Sequence, residues 1–225
     1  MRVLKILILG ILSFPFQIGM SHAQGKYTEI LLDLSLDKGE NPTASVEGLS
    51  IHPVNLFVQS FPLNADSPHI QLQLEVGKGD DSYSTFLWFY ETDSVSRVNY
   101  PKAFKNHIFS LQKDEQTDTV HLLVEKTDFE KEFFLEQRQE VRIGDLNLHL
   151  DYIVNEWTVD VFGNYEDSYS TYMLEVWETD QEKDLLKFMS PNRYEEYVDS
   201  LEWKEYKISL LSLSENDIQI KVSKK

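Results

Sequence analysis

The sequence predicts an all-β protein made of two tandem antiparallel β-sandwich-like domains, with a short helix inserted in the second. Three observations support this prediction. Apolar and polar residues alternate with a period of two, turn-forming residues separate the alternating segments, and one block of sequence recurs. A period of two places one strand face on the core and the other in water. Strands with one buried and one solvent-exposed face are typical of antiparallel sheets.

Residues 1–23 have the features of a secretory signal peptide. Arg2 and Lys5 precede a short apolar run, and Ser21 and Ala23 occupy positions -3 and -1 of the expected cleavage site. A membrane anchor is the alternative, but the run is short for a span of about 20 apolar residues. We therefore expect bacterial-type secretion to the periplasm or the exterior, and no membrane association after cleavage.

Four segments of the exported chain show the alternation. Their apolar members are Ile30, Leu32, Leu34 and Leu36; Ile70, Leu72, Leu74 and Val76; Leu146, Leu148, Leu150 and Tyr152; and Trp157, Val159 and Val161. Residues 37–42, 64–68 and 77–81 supply the Gly, Pro, Asn and Asp that favour chain reversals. Many short strands separated by such turns indicate a sandwich or a small barrel.

The recurring block predicts a duplication. Asp81–Thr85 reappears letter for letter as Asp167–Thr171, and Phe104–Leu111 resembles the segment from Trp203 to Leu210. The landmarks occur in the same order in both copies, at a period that is too long for the common solenoid repeats. A single sheet with two similar hairpins is the alternative interpretation.

The duplication sets the predicted domains at residues 24–127 and 128–225. The second copy contains extra residues in which Ser190 and Pro191 can serve as the cap and first residue of a helix. Four residues then share one helix face, namely Tyr194, Tyr197, Val198 and Leu201. We predict a short helix near residues 191–201.

Composition excludes several classes of function. The chain has 38 acidic and 21 basic residues and a net charge of -17, so it has no cationic surplus for nucleic acid. It has no cysteine, which excludes disulfides and thiol chemistry. No nucleophile elbow, phosphate-binding loop or dinucleotide fingerprint is present. Among so many acids, no carboxylate pair for glycoside cleavage stands out.

The leading hypothesis is an exported, non-catalytic binding or interaction protein whose partner is an unknown protein or glycan. The candidate binding residues are of types common at binding hot spots, and they are Arg193, Tyr194, Tyr197, Trp203, Trp88 and Trp177. One alternative is a carbohydrate-binding or glycan-hydrolysing β-sandwich protein. Another is a calcium-stabilised structural or adhesive protein, with calcium as its one cofactor. The candidate calcium ligands are Asp80, Asp81, Glu166 and Asp167.

Overall fold

A computed structural model describes residues 30–34, 41–58, 70–92, 95–113, 119–190 and 198–225, apart from the side chains of residues 30, 91–98 and 165–167. Throughout these ranges the regular elements are strands, and none is an α-helix. The strands are β1 (Ile30–Leu34), β2 (Ala44–Val46), β3 (Leu49–Val58), β4 (Ile70–Lys78), β5 (Asp81–Thr92), β6 (Val95–Asn99), β7 (Lys102–Phe104), β8 (His107–Lys113), β9 (Val120–Lys126), β10 (Glu132–Glu136), β11 (Glu140–Ile143), β12 (Leu146–Val159), β13 (Tyr165–Glu178), β14 (Asp184–Met189), β15 (Ser200–Trp203), β16 (Tyr206–Leu213) and β17 (Asp217–Lys224).

The described strands form three sheets. An eight-stranded sheet has the order β1-β9-β8-β7-β10-β17-β16-β15, a five-stranded sheet runs from β2 to β6, and a four-stranded sheet runs from β11 to β14. We call residues 24–127 the first half and residues 128–225 the second half. Each half contributes four strands to the eight-stranded sheet. The halves meet where β7 and β10 pair in parallel, with Lys102 opposite Phe134.

Two clusters of buried apolar side chains hold the sheets together. One cluster joins β2–β5 to β1 and β7–β9, and the other joins β11–β14 to β10 and β15–β17. Ala103 and Ile108 belong to the first half but lie in the second cluster. The prediction of an all-β protein is confirmed, and each cluster contains buried side chains from two sheets.

The predicted strand at residues 146–152 and the beginning of the one at residues 157–161 belong to a single strand, β12, which ends at Val159. A bulge between Leu150 and Tyr152 adds a residue to the strand and exchanges its faces. Ile153 is therefore buried and Tyr152 is half exposed. The prediction that Tyr152 shares the buried face of Leu150 is wrong, because a bulge breaks the period of two.

The outer parts of β12 and β13 extend beyond the core as an arm, residues 154–170. Its exposed apolar side chains include Trp157, Val159, Val161 and Phe162, and the last two are 93% and 86% exposed. At the tip, a carboxylate oxygen of Asp160 accepts hydrogen bonds of 2.8 Å from two backbone N–H groups, those of residues 162 and 164. The core-face positions predicted for Trp157, Val159 and Val161 are wrong, because the first two side chains are exposed in the outer part of β12 and Val161 lies in the turn at the tip of the arm.

The predicted helix near residues 191–201 is tested only at its end, because residues 191–197 lie outside the described ranges. Ser200 and Leu201 belong to strand β15, where Leu201 pairs with Ile208 of β16. The helix prediction is wrong for these two residues. The signal peptide predicted for residues 1–23 also lies outside the described residues. In the part of the chain that is described, no helix has the length and apolar character to cross a membrane.

The matched sequence blocks take comparable places in the fold. Asp81–Thr85 begins β5 and Asp167–Thr171 lies in β13, and each of these strands is next to an edge strand, between the strands that precede and follow it in the chain. Phe104–Leu111 forms the β7–β8 hairpin, and the segment from Trp203 to Leu210 forms the β15–β16 hairpin. These two hairpins have corresponding positions in the two parts of the eight-stranded sheet.

Candidate functional site

A cleft of about 560 Å³ lies at the seam between the two halves. One wall is β5 of the first half, and the opposite wall is β10 together with the turn between β16 and β17 of the second half. The cleft has an aromatic part, a charged floor and a polar rim. A concave site with mostly apolar walls and a few fixed polar groups is the usual form of a ligand pocket.

The alternation of β5 produces the aromatic part of the cleft. Phe86 and Trp88 lie on the outward face of β5, where they are 43% and 38% exposed, while the intervening Leu87 is buried. The Tyr100 ring meets the Trp88 ring edge-on at 6.1 Å and lies 5.1 Å from the Phe134 ring. The Tyr100 backbone N–H also donates to the Trp88 carbonyl at 3.3 Å. These contacts hold several ring faces at the surface in fixed positions.

The charged floor of the cleft is formed by Lys102, which is almost fully buried. Its ammonium lies 2.9 Å from the carboxylate of Glu136 and 2.5 Å from that of Asp217. The same ammonium lies 5.2 Å from the centroid of the Phe134 ring. Each carboxylate belongs to the second half, so this lysine crosses the seam. Removing one member of a buried ion pair leaves an uncompensated charge, which costs about 3–5 kcal/mol of stability.

Two hydroxyl groups of β5 complete the charged floor. Tyr83 and Thr85 each donate a 2.8 Å hydrogen bond to Glu136, one to each carboxylate oxygen. Burial, reinforced by the negative charge of Glu136, raises the pKa of Tyr83 well above its ordinary value of 10.0. The Tyr83 hydroxyl therefore stays protonated and acts as a donor over the physiological pH range.

This arrangement is better suited to binding than to acid–base chemistry. Glu136 faces the Lys102 ammonium and accepts from two hydroxyls, so its oxygens are already engaged. Asp217 faces the same ammonium and also accepts from the Ser214 hydroxyl at 2.6 Å. Glycoside hydrolysis requires one carboxyl that donates a proton and a second that either attacks the sugar or takes a proton from the attacking water. Neither carboxylate on the floor is available for these roles without losing its present partners.

The structure describes three of the predicted binding residues, and of these Trp88 alone lines the cleft. Trp88 lies in the cleft, Trp177 is half buried on the outward face of β13 with the Lys183 ammonium 4.5 Å from its ring, and Trp203 is buried. The Trp203 indole N–H donates to Asp184 at 2.8 Å, which gives this residue a structural contact. The other predicted binding residues lie outside the described ranges, and they are Arg193, Tyr194 and Tyr197.

The structure describes the side chains of two of the four predicted calcium ligands. Asp80 and Asp81 are exposed in the β4–β5 hairpin, and Asp81 is paired with the Lys105 ammonium at 2.8 Å. Glu166 and Asp167 belong to β13, and their side chains are not described. Among the described side chains, no group of three or more acids and histidines is arranged to hold a metal ion.

Sequence reasoning missed most of this cleft. Phe86 gave a usable signal, because it shares the polar, outward face of β5 with Trp88 and two large aromatics on a wet face favour a binding surface. Lys102, Glu136 and Asp217 gave no such signal, because they are far apart in sequence and meet only when the two halves join. Comparison of the chain with protein-family models, with curated proteins and with solved structures finds no match.

Proposed function

We propose that this is an exported, non-catalytic binding protein whose seam cleft holds sugar rings of a glycan. The observation that carries this proposal is the set of partly exposed rings of Phe86, Trp88 and Tyr100, of which the last two contact each other, above a largely buried ion network. Aromatic faces offer large contact area to the C–H faces of sugars, at a low cost in side-chain entropy. Export rests on the signal sequence of residues 1–23.

The polar rim of the cleft fits the same kind of ligand. It consists of hydroxyl and amide side chains, namely Ser84, Gln137, Ser212, Ser214 and Asn216. Such groups both donate and accept, as sugar hydroxyls do. A few directed polar groups beside an apolar wall fix the orientation of a ligand and give specificity.

Glycan hydrolysis is the alternative from another class of function. It requires one carboxyl to be protonated, whereas Glu136 and Asp217 share the Lys102 ammonium. Calcium stabilisation is the third hypothesis, and calcium would have to displace the Lys105 ammonium from Asp81. Its test is the melting midpoint measured with and without excess calcium, because a bound ion raises that midpoint.

We also infer that the chain is a tandem duplication with copies at residues 24–127 and 128–225. The strand order β1-β9-β8-β7 of the first half corresponds to the order β10-β17-β16-β15 of the second half. In both, a lysine with positive φ forms the hairpin turn, at Lys105 (55°) and Lys204 (49°). This correspondence supports the duplication independently of the five-residue sequence match.

The glycan proposal is tested by direct binding measurements on a panel of neutral and acidic oligosaccharides. Wild type is compared with Trp88→Ala and Phe86→Ala by calorimetry. We expect each variant to bind its best oligosaccharide about tenfold more weakly, the equivalent of about 1.4 kcal/mol. Trp157→Ala is the matched control, since this exposed tryptophan lies on the arm and outside the cleft.

The same samples also separate binding from hydrolysis. We expect no release of reducing ends during prolonged incubation with the bound oligosaccharide. The proposal fails if no member of the panel binds, or if Trp88→Ala binds as tightly as wild type. If reducing ends are released and this release depends on Glu136, the hydrolase alternative replaces the binding proposal.

A further inference from the structure

A second cavity on the seam is lined mainly by cations. This basic pocket has a volume of about 390 Å³, and its charged lining consists of Lys78, Lys105, Lys126, Arg142 and one acid, Glu140. Lys78 and Lys126 come from the first half and Arg142 from the second. A local concentration of cations is unusual in a chain whose net charge is -17. It therefore calls for a physical explanation.

Neighbouring acids form ion pairs with three of these four cations. Lys105 lies 2.8 Å from Asp81 and 3.9 Å from Glu140, and Lys126 pairs with Glu47. The guanidinium of Arg142 lies 3.8 Å from Asp145, and its Nε donates to the Gly144 carbonyl at 2.8 Å. Lys78 is half buried, and no carboxylate among the described residues forms an ion pair with it. One positive charge therefore faces the pocket without an anion.

Unsatisfied polar atoms lie beside the same cations. His107 is completely buried, and neither ring nitrogen has a hydrogen-bond partner within the described part of the chain. The neighbouring Asn106 lines the pocket, and its side-chain oxygen is likewise unsatisfied. The His107 ring experiences the charges of Glu47, Lys126 and Lys78. Buried polar groups are normally satisfied by protein, water or a ligand.

The basic pocket and the seam cleft are lined by the same two stretches of chain. A smaller cavity of about 170 Å³ is lined by residues that lie between theirs in sequence, with Asp81 and Ser82 on one side and Arg138 to Glu140 on the other. On one side the lining runs from Trp88 back to Lys78, and on the other it runs from Phe134 forward to Arg142. The aromatic end and the basic end therefore lie along the same seam.

We propose that the basic pocket is a subsite for a single oxyanion group, such as a sulfate, phosphate or carboxylate, carried by the glycan whose rings lie in the seam cleft. This inference rests on the proposed glycan binding. The Lys78 ammonium is the free positive charge that the oxyanion would pair with, and Lys105, Lys126 and Arg142 add charge around it. The net charge of -17 opposes a highly charged polyanion, so the ligand carries few such groups.

The test uses a matched pair of oligosaccharides that differ by one sulfate group, and inorganic sulfate and phosphate as separate probes. Binding to wild type, Lys78→Met and Lys187→Met is measured by calorimetry at two salt concentrations. Lys78→Met leaves no carboxylate unpaired, so it should fold normally. Lys187 is the control, because it is an exposed lysine on β14 with no ion pair among the described residues.

We expect the sulfated oligosaccharide to bind wild type about tenfold more tightly than the neutral one, with an advantage that shrinks at higher salt. Lys78→Met should remove this advantage and leave neutral binding unchanged, while Lys187→Met should preserve it. Inorganic sulfate or phosphate should bind wild type weakly and Lys78→Met not at all.

The failures of the two proposals are distinguishable. Equal binding of the two oligosaccharides, or an advantage that survives in Lys78→Met, overturns the oxyanion subsite while the seam cleft stands. Binding of inorganic sulfate without binding of either oligosaccharide overturns the glycan proposal, and with it the subsite as a part of a glycan site.

Discussion

His107 is the buried titratable residue with the clearest consequence for stability. Burial lowers its pKa below the ordinary value of 6.5, Lys126 and Lys78 lower it further, and Glu47 opposes them. The folded state therefore favours the neutral ring, and the unfolded state binds the proton more tightly. The contribution of His107 to the free energy of unfolding is complete above pH 6.5. It is lost as the pH falls from 6.5 through the lower pKa of the folded state.

We expect the free energy of unfolding of wild type to decrease as the pH is lowered from 6.5, and the variant His107→Leu to show a flatter profile in this range. Urea unfolding at a series of pH values measures the profile. His52→Leu is the control, because this histidine is exposed. Carboxylates with a lowered pKa do not affect the profile in this pH range. The pKa of Glu175, for example, is lowered mainly by its hydrogen bond with Lys183 and then by the one with His149, so its contribution to stability is lost only below pH 4.5. An identical slope in wild type and His107→Leu would contradict the prediction.

At the scale of single residues, the sequence predicts which side chains face water, but it does not predict which side chains contact each other. The outward positions of Phe86 and Trp88 follow from the alternation of β5. The ion pairs of Lys102 do not, because they join strands that are distant in the chain and adjacent only at the seam. A lysine also has no local pattern that distinguishes a buried position from a solvated one.

Among the elements, the arm is the most exposed. Beyond Ile153 it is a two-stranded hairpin, and an isolated hairpin is only marginally stable in water. Its tip is ordered by Asp160, whose pKa is lowered by hydrogen bonds from the side chain and backbone of Asn164 and from the backbone of Phe162. The side chain of Asp160 thus fixes the turn, while Val161 and Phe162 remain in solvent.

We expect Asp160→Ala to increase the rate of chymotrypsin cleavage at the arm several-fold, because the turn loses the hydrogen bonds that order it. The melting midpoint should hardly change, since the tip contributes little to either core. Cleavage is followed by mass spectrometry, which identifies the cut at Phe162 or Trp157. Glu156→Ala is the control, because it removes an exposed arm carboxylate without altering the turn. Equal cleavage rates for Asp160→Ala and Glu156→Ala would refute this role of Asp160.

Element prediction succeeded where local pattern and sheet position agree. Apolar and polar residues alternate along residues 70–76, and this segment lies in β4, which has one buried face and one face that is more exposed to solvent. It failed at Ser200 and Leu201, because pairing with β16 prevailed over the helical spacing. The repeated Asp81–Thr85 block belongs to the successful cases, because both of its copies lie in strands, β5 and β13, with comparable sheet positions.

The seam makes the two halves dependent on each other at the scale of the whole molecule. Backbone hydrogen bonds cross it in both directions, from the Lys105 N–H to Glu140 at 2.8 Å and from the Arg142 N–H to Lys105. Ala103 and Ile108 lie in the second cluster, and the Lys102 ammonium pairs with two carboxylates of the second half. Two cores are therefore joined by buried contacts of both apolar and ionic kinds.

This dependence predicts the behaviour of the separated halves. We expect segments 24–127 and 128–225, produced individually, to unfold at lower urea concentrations than the full chain. Separation exposes the apolar surface around Ala103 and Ile108, and it leaves Glu136 and Asp217 without their ammonium. Mixing the two segments in equal amounts is the control, and it should restore part of the lost stability by re-forming the seam. If each segment alone unfolds with the midpoint of the full chain, the halves are independent domains. In that case a groove shared between them would not be a rigid site, because no fixed contact would hold the aromatic wall of β5 against the wall from Phe134 to Arg142.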